Sequence, residues 1–137
     1  MSESLITKKA IASGLKELTK KKSFDKITIQ DITDICGLNR QTFYYHFQDK
    51  YELVNWIYYN ELIVNVTDQL TYDNSTDKVL QMLQRMKNED YFYINTLKAS
   101  VKNEFEEYLS AQLRNLALGT GQFAITRYFE KKNNPEV

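Results

Sequence analysis

Nine consecutive residues, Asn39-Arg40-Gln41-Thr42-Phe43-Tyr44-Tyr45-His46-Phe47, gather the groups in this chain best able to recognise another molecule by hydrogen bonding. Arg can grip a guanine edge with two parallel donors, Gln can pair with adenine, and a Thr methyl can touch the methyl of thymine. Tyr hydroxyls, the Asn39 side chain and the backbone N–H groups of a helix start can hold phosphate oxygens. On a helix with Phe43 turned inward, a step of about 100° per residue points Gln41 and Tyr45 almost directly outward. Thr42 and Tyr44 then flank them, and Arg40 stands at the N-terminal tip. Lys50, three residues beyond the run, adds a point charge suited to a phosphate. A nucleic-acid duplex would cover the outward aromatics and use every residue type in the set.

Such a run needs elements that hold it out. Thr28-Ile29-Gln30-Asp31 has the form of a capping box, with Ile27 and Ile32 placed as a hydrophobic staple. Ile29, Ile32 and Ile35 mark the expected buried face of the helix that follows, and Gly37 stands where a C-cap favours a left-handed residue. Asn39 is a second N-cap only two residues later, with Leu38 and Phe43 repeating the staple. Asp49 and Glu52 open a third, longer helix through Trp56, Ile57 and Leu62. Two short capped helices joined by a tight turn with Gly make a helix-turn-helix.

Before this unit, an apolar stripe of Leu5, Ile11, Leu15 and Leu18 predicts a helix from about Ser4 to Lys21, closed by the basic run Lys20-Lys21-Lys22. After it, residues 71–77 read as a loop, and Val79, Leu80, Leu83 and Met86 mark an amphipathic helix. Residues 87–90 read as a turn. Leu97 with Val101, then Phe105, Leu109, Leu113 and Leu116, then 123–129 continue the helical pattern, interrupted at Gly119-Thr120-Gly121.

The chain has 137 residues, four Gly and one Pro, at Pro135, so little in it breaks helices. An all-α fold is expected: a three-helix head over residues 4–60 and a helical regulatory and dimerisation body over 61–137. Net charge is zero, but residues 1–50 carry nine Lys/Arg against six Asp/Glu, and residues 51–137 nine against twelve. A positive head and an acidic body suit a polyanion bound at one end.

Several chemistries find no support. One Cys, Cys36, rules out an internal disulfide framework, and Cys36 with the single histidine, His46, falls short of a usual zinc site. The Gly119-Thr120-Gly121 passage lacks the following Gly and Lys of a phosphate-cradling loop. Tyr91, Phe92 and Tyr93 read as core or pocket wall. No acid–base pair is evident, so neither an enzyme nor a cofactor is expected. No stretch reads as a signal peptide or membrane span, and a cytoplasmic protein is expected. The alternative to a DNA-binding regulator is a helical interaction module whose head binds a protein groove.

Residues 28–57 resemble the DNA-binding head of the TetR family of bacterial transcription regulators. The features that match are the Thr28 start, Cys36-Gly37-Leu38 at the turn, Thr42-Phe43-Tyr44-Tyr45-His46-Phe47, then Asp49-Lys50 and Leu53. The Arg-Gln-Thr-Phe-Tyr run and Leu53-Val54-Asn55-Trp56-Ile57 are similar to the dihydroxyacetone-kinase-regulator subgroup. The resemblance implies a homodimer on a palindromic operator, responsive to a small-molecule or protein effector. It implicates Thr28, Tyr44, His46 and Lys50 in phosphate contacts and Arg40, Gln41, Thr42 and Tyr45 in base reading. Asn39 stands where the family more often has Ser, which favours its capping role, and Gln41 replaces a frequent small residue. Relative to the family the body is short, and residues missing near Leu118-Gly119 and after Pro135 are the expectation.

Overall fold

The computed structural model describes residues 2–99 and Arg114, and the described elements are helical. Helix α1 spans Glu3–Thr19, with the Ser2 hydroxyl accepting from the Leu5 N–H at 3.1 Å. A 3-10 turn at Phe24–Lys26 leads to α2, Ile29–Cys36, and α3 follows at Arg40–His46. Helix α4, Lys50–Tyr58, runs through a π-helical stretch at Tyr59–Ile63 into α5, Val64–Thr67. The Asn60 and Asn65 amides donate to the Trp56 and Glu61 carbonyls, both at 2.8 Å, along this loosened stretch. The expected boundary between residues 60 and 61 thus falls inside continuous helix. Helix α6 is Ser75–Asn88 and α7 is Asp90–Leu97.

The caps expected around the helix-turn-helix all form. Thr28 Oγ1 accepts from the Asp31 N–H at 3.0 Å, and Asp31 Oδ2 accepts from the Thr28 N–H at 3.0 Å. Gly37 closes α2 with φ +69°, a left-handed value that a side chain would strain. Asp49 Oδ1 accepts from the Glu52 N–H at 2.8 Å to open α4.

One core runs from head to body. Ile11, Leu15, Phe24, Ile32, Phe43, Leu53, Val54, Ile57, Tyr58, Leu62 and Phe92 have no exposed surface. The Tyr58 hydroxyl lies 2.6 Å from Thr96 Oγ1, whose own proton is directed at the Phe92 carbonyl 3.0 Å away. A carbonyl only accepts, so Tyr58 donates to Thr96. Burial pushes the Tyr58 phenol up to about 12.

Four expectations change. Ile35 is 43% exposed, whereas Thr33 is fully buried and Cys36 leans on the core. The inward face of α2 is therefore Ile29, Ile32, Thr33 and Cys36, which keeps the 3.6-residue period better than three isoleucines spaced by three. In α6, Val79, Leu80 and Leu83 are 43–57% exposed, and Met82 and Met86 are the residues that pack on the core. The loop before α6 is shorter than expected because the helix begins at Ser75, and the turn expected at 87–90 reduces to Glu89. Val101 and the apolar pattern from Phe105 to Phe129, like Leu118-Gly119, lie outside the described residues.

Helices α1 and α2 approach closely at Gly14. A Cβ there would collide with Cys36 Sγ and stand 3.0 Å from Ile35 Cγ2. The half-buried Cys36 thiol would have to leave its place beside the Ala10 carbonyl or the two helices move apart, so Gly14→Ala should destabilise by roughly 1–3 kcal/mol through overpacking. Urea denaturation checks this; an unchanged midpoint would show that the two helices separate freely.

Candidate nucleic-acid interface

The recognition surface is built outward from Phe43. That ring is fully buried, 5.8 Å from Phe47 and edge-on to Tyr44 at 5.6 Å. With Phe43 anchored, the opposite side of α3 faces solvent. Tyr45 is 83% exposed, Tyr44 is 47% exposed, and Arg40 and Gln41 are exposed. The Arg40 guanidinium lies 6.0 Å from the Tyr44 ring centre, and Tyr45 meets His46 edge-on at 5.0 Å. A seven-residue helix thus shows a fan of one cation, one amide and two phenols.

Capping decides which groups at the start of α3 can reach outward. Asn39 Oδ1 accepts from both the Thr42 N–H, at 2.8 Å, and the Thr42 hydroxyl, at 2.9 Å. Its acceptor is thereby engaged within the helix. Thr42 has given its hydroxyl proton to Asn39, which leaves its methyl and an oxygen that can only accept as the contacts it can offer a base. Thr28 is exposed, and its capping box uses it as an acceptor, so its O–H proton is not engaged by the cap.

The Asp31 carboxylate of that box also accepts from Lys22 Nζ at 2.9 Å. Lys22, joined by the Thr28 N–H, holds Asp31 down at about 2. The box is therefore charged and closed at neutral pH. The far end of α3 touches α1: Ser4 Oγ lies 3.5 Å from His46 Nδ1, and Lys8 Nζ lies 5.9 Å from the Phe47 ring centre. Ser4 and Lys8 went unnoticed in the sequence because nothing local marks residues about 40 positions away from the helix they adjoin.

Lys50 occupies a different environment from the other site residues. Its ammonium donates to the carbonyls of Phe24, at 2.7 Å, and Ile27, at 2.8 Å, and reaches that of Asp25 at 3.4 Å. It also lies 4.5 Å from the Phe24 ring centre. The Phe24 carbonyl already accepts from the Ile27 N–H at 3.1 Å, and its second lone pair and the neighbouring carbonyls are satisfied together by a tetrahedral ammonium. Desolvation lowers the Lys50 pKa, with Asp25 opposing. The point charge expected on a phosphate is turned, in this structure, onto the head's own backbone.

Among the described residues no cluster of three or more His, Cys, Asp or Glu could hold a metal, and no helix is long and apolar enough to cross a membrane. Cys36 is half-buried, with its thiol 3.4 Å from the Ala10 carbonyl and its pKa raised by burial.

Comparison with known proteins places this geometry. Residues 11–57 match the model for bacterial regulatory proteins of the tetR family. The chain is 30% identical over 116 residues to the HTH-type dhaKLM operon transcriptional activator DhaS of Lactococcus lactis subsp. lactis (strain IL1403). That match covers 85% of this chain and 61% of the relative, so the chain spans about three-fifths of the relative's length. A solved structure described as the dihydroxyacetone kinase operon activator DhaS aligns with a TM-score of 0.69 at 27% identity, over 90% of this chain and 68% of that one.

Proposed function

We propose that residues 11–57, which match the model for bacterial regulatory proteins of the tetR family, form a DNA-binding head and that the chain is a sequence-specific regulator of transcription. The observation that carries this reading is the outward face of α3, where Arg40, Gln41 and Tyr45 are exposed while Phe43 is fully buried behind them. Arg40, Gln41, Tyr45 and the Thr42 methyl read base edges in the major groove. Thr28, Tyr44 and His46 hold phosphates and set the register, and Asn39 acts as the cap that orients Thr42. Lys50 serves the site by fixing the turn at Phe24–Lys26.

In this reading residues 4–60 bind DNA, and the helices beyond serve regulation and pairing into a homodimer on a palindromic operator. Half-sites one helical turn apart require recognition helices about 34–36 Å apart. The likeness to the DhaS transcriptional activator supports a regulator of transcription of the same subgroup. In the same reading the chain responds to a small-molecule or protein effector and works in the cytoplasm.

The test is a fluorescence titration against an operator selected by the protein from genomic fragments, repeated across salt concentrations. Contacts to several phosphates make log affinity fall steeply with log salt, by about 0.9 per contact. A protein groove as the partner would give neither an enriched operator nor that slope. Gln41→Ala provides the finer measurement. Gln41 is uncharged and outward, so the substitution should leave the salt slope intact yet cost about 1–3 kcal/mol of discrimination at one base pair per half-site. Equal loss on every sequence would place Gln41 off the bases.

A further inference from the structure

Asn95, in the last turn of α7, binds the backbone of the head through both ends of its side-chain amide. Nδ2 donates to the carbonyls of Thr19, at 3.0 Å, and Lys22, at 2.9 Å, and Oδ1 accepts from the Phe24 N–H at 2.8 Å. Two carbonyl acceptors and one N–H donor leave a single orientation for the amide. The same residue, Phe24, presents its carbonyl to Lys50 Nζ at 2.7 Å and its ring to the same ammonium at 4.5 Å. The backbone of one residue is thus held by the body at its N–H and by the start of α4 at its carbonyl.

Lys50 is the first residue of α4, and Phe47, three positions before it, caps the recognition helix. Between them the Gln48 N–H donates to Glu52 Oε2 at 2.8 Å, which ties the α3–α4 turn to α4. The Phe24 side chain is fully buried, 5.7 Å from the Tyr51 ring. A displacement of Phe24 therefore has no slack to absorb it before it reaches α4 and the base of α3.

We infer that Asn95 is a positioning residue for DNA binding, acting through the Phe24 backbone and Lys50 to hold the recognition helix in place from the body. The strut is polar and short, so α7 and the α1–α2 connection move together or the three bonds break. Any ligand or partner that shifts α7 changes the hold on Lys50, and with it the setting of Arg40 to His46. The consequence for DNA rests on the regulator reading above; the mechanical link does not.

The experiment uses the full chain and four variants: Asn95→Ala, the near-isosteric Asn95→Asp, Lys50→Met, and Asn95→Ala combined with Lys50→Met. Asn95→Asp keeps an acceptor for Phe24 but offers nothing to the Thr19 and Lys22 carbonyls, and it carries the measurement if Asn95→Ala does not fold. Amide hydrogen exchange is followed at residues 39–47, at a temperature where circular dichroism shows each variant folded. Affinity is measured for the operator selected by the wild-type protein. Each single variant should exchange faster across 39–47 and bind the operator roughly tenfold more weakly, within the usual range of inter-site coupling. The double variant should be no worse than either single one, because both cut the same strut.

Faster exchange confined to α1 and α7, with 39–47 and operator affinity unchanged, would overturn the inference and leave Asn95 as a clasp between helices. Multiplying effects in the double variant would overturn it equally. Failure of the wild-type protein to bind any duplex would instead count against the regulator reading, while the exchange measurement would still decide the strut.

Discussion

Phe43→Ala should lower the free energy of unfolding by about 3–5 kcal/mol, the usual cost of emptying a buried phenylalanine site. Phe43 has no exposed surface and contacts the rings of Tyr44 and Phe47, so the cavity opens between α3 and the rest of the head. Its surroundings are poorly able to collapse into the space. Helix α3 is held at its N-terminus by the Asn39 cap and is followed by an extended Phe47, so neither end can tilt inward without losing a hydrogen bond. The chain carries its own reporter, since its single tryptophan, Trp56, lies 6.0 Å from the Phe47 ring in a T-shaped contact. Urea denaturation followed by Trp56 fluorescence gives the number. Tyr45→Ala is the control, for an 83% exposed side chain should change stability by no more than about 0.5 kcal/mol. If Phe43→Ala left the midpoint unmoved, the phase of α3 would be wrong, and the assignment of Gln41 and Tyr45 to the groove would go with it.

What made the helix-turn-helix readable is that its determinants are local. A capping box spans four residues, a staple six, and a left-handed glycine one, so Thr28, Gly37, Asn39 and Asp49 could each be placed without any knowledge of the fold. The phase of α3 followed from a single inward aromatic. Errors arose where burial is decided by a neighbouring element. Isoleucine at 35 is as apolar as isoleucine at 32, but the packing around α2 buries Ile32 and Thr33 and leaves Ile35 43% exposed. Val79, Leu80 and Leu83 misled in the same way, because helix periodicity records an amphipathic face without recording what packs on it.

Polar residues were the harder case. Lys50 reads as a surface cation beside a recognition helix, and its carbonyl partners lie 23–26 residues earlier in the chain. Asn95 carries no local sign of its contacts. Its partners, 71–76 positions away, are invisible to any local pattern. Long-range polar contacts join the head to the body, and they are what a reading by periodicity and caps cannot supply.

The strongest of those contacts is centred on Lys16, and Lys16→Met should destabilise the protein by about 3 kcal/mol, near the lower end of the cost of breaking a buried ion pair. The Lys16 side chain is 11% exposed, and its ammonium pairs with Glu61 Oε1 and with both Glu89 oxygens at 3.0 Å. Glu61 also accepts from the Tyr93 hydroxyl at 2.8 Å, and burial together with this carboxylate raises the Tyr93 pKa. Methionine fills the same volume, so little packing is lost, but two carboxylates are left facing each other across the join between α1 and the later helices. Arg85 lies 3.4 Å from Glu61 and 4.0 Å from Glu89, on a side chain 45% exposed to water, and cannot replace a cation seated between them. The cost should therefore come mainly from uncompensated charge rather than from a lost attraction. A second substitution separates the two. Glu89→Gln in the Lys16→Met background removes one of the opposed charges while keeping the shape, and it should recover a clear part of the loss, whereas the same change in the wild-type protein should destabilise it. A double-mutant cycle by urea denaturation measures this directly. Simple additivity of the two substitutions would mean that Lys16 and Glu89 act independently, and the charge-based account of how α1 is held against the body would have to be abandoned.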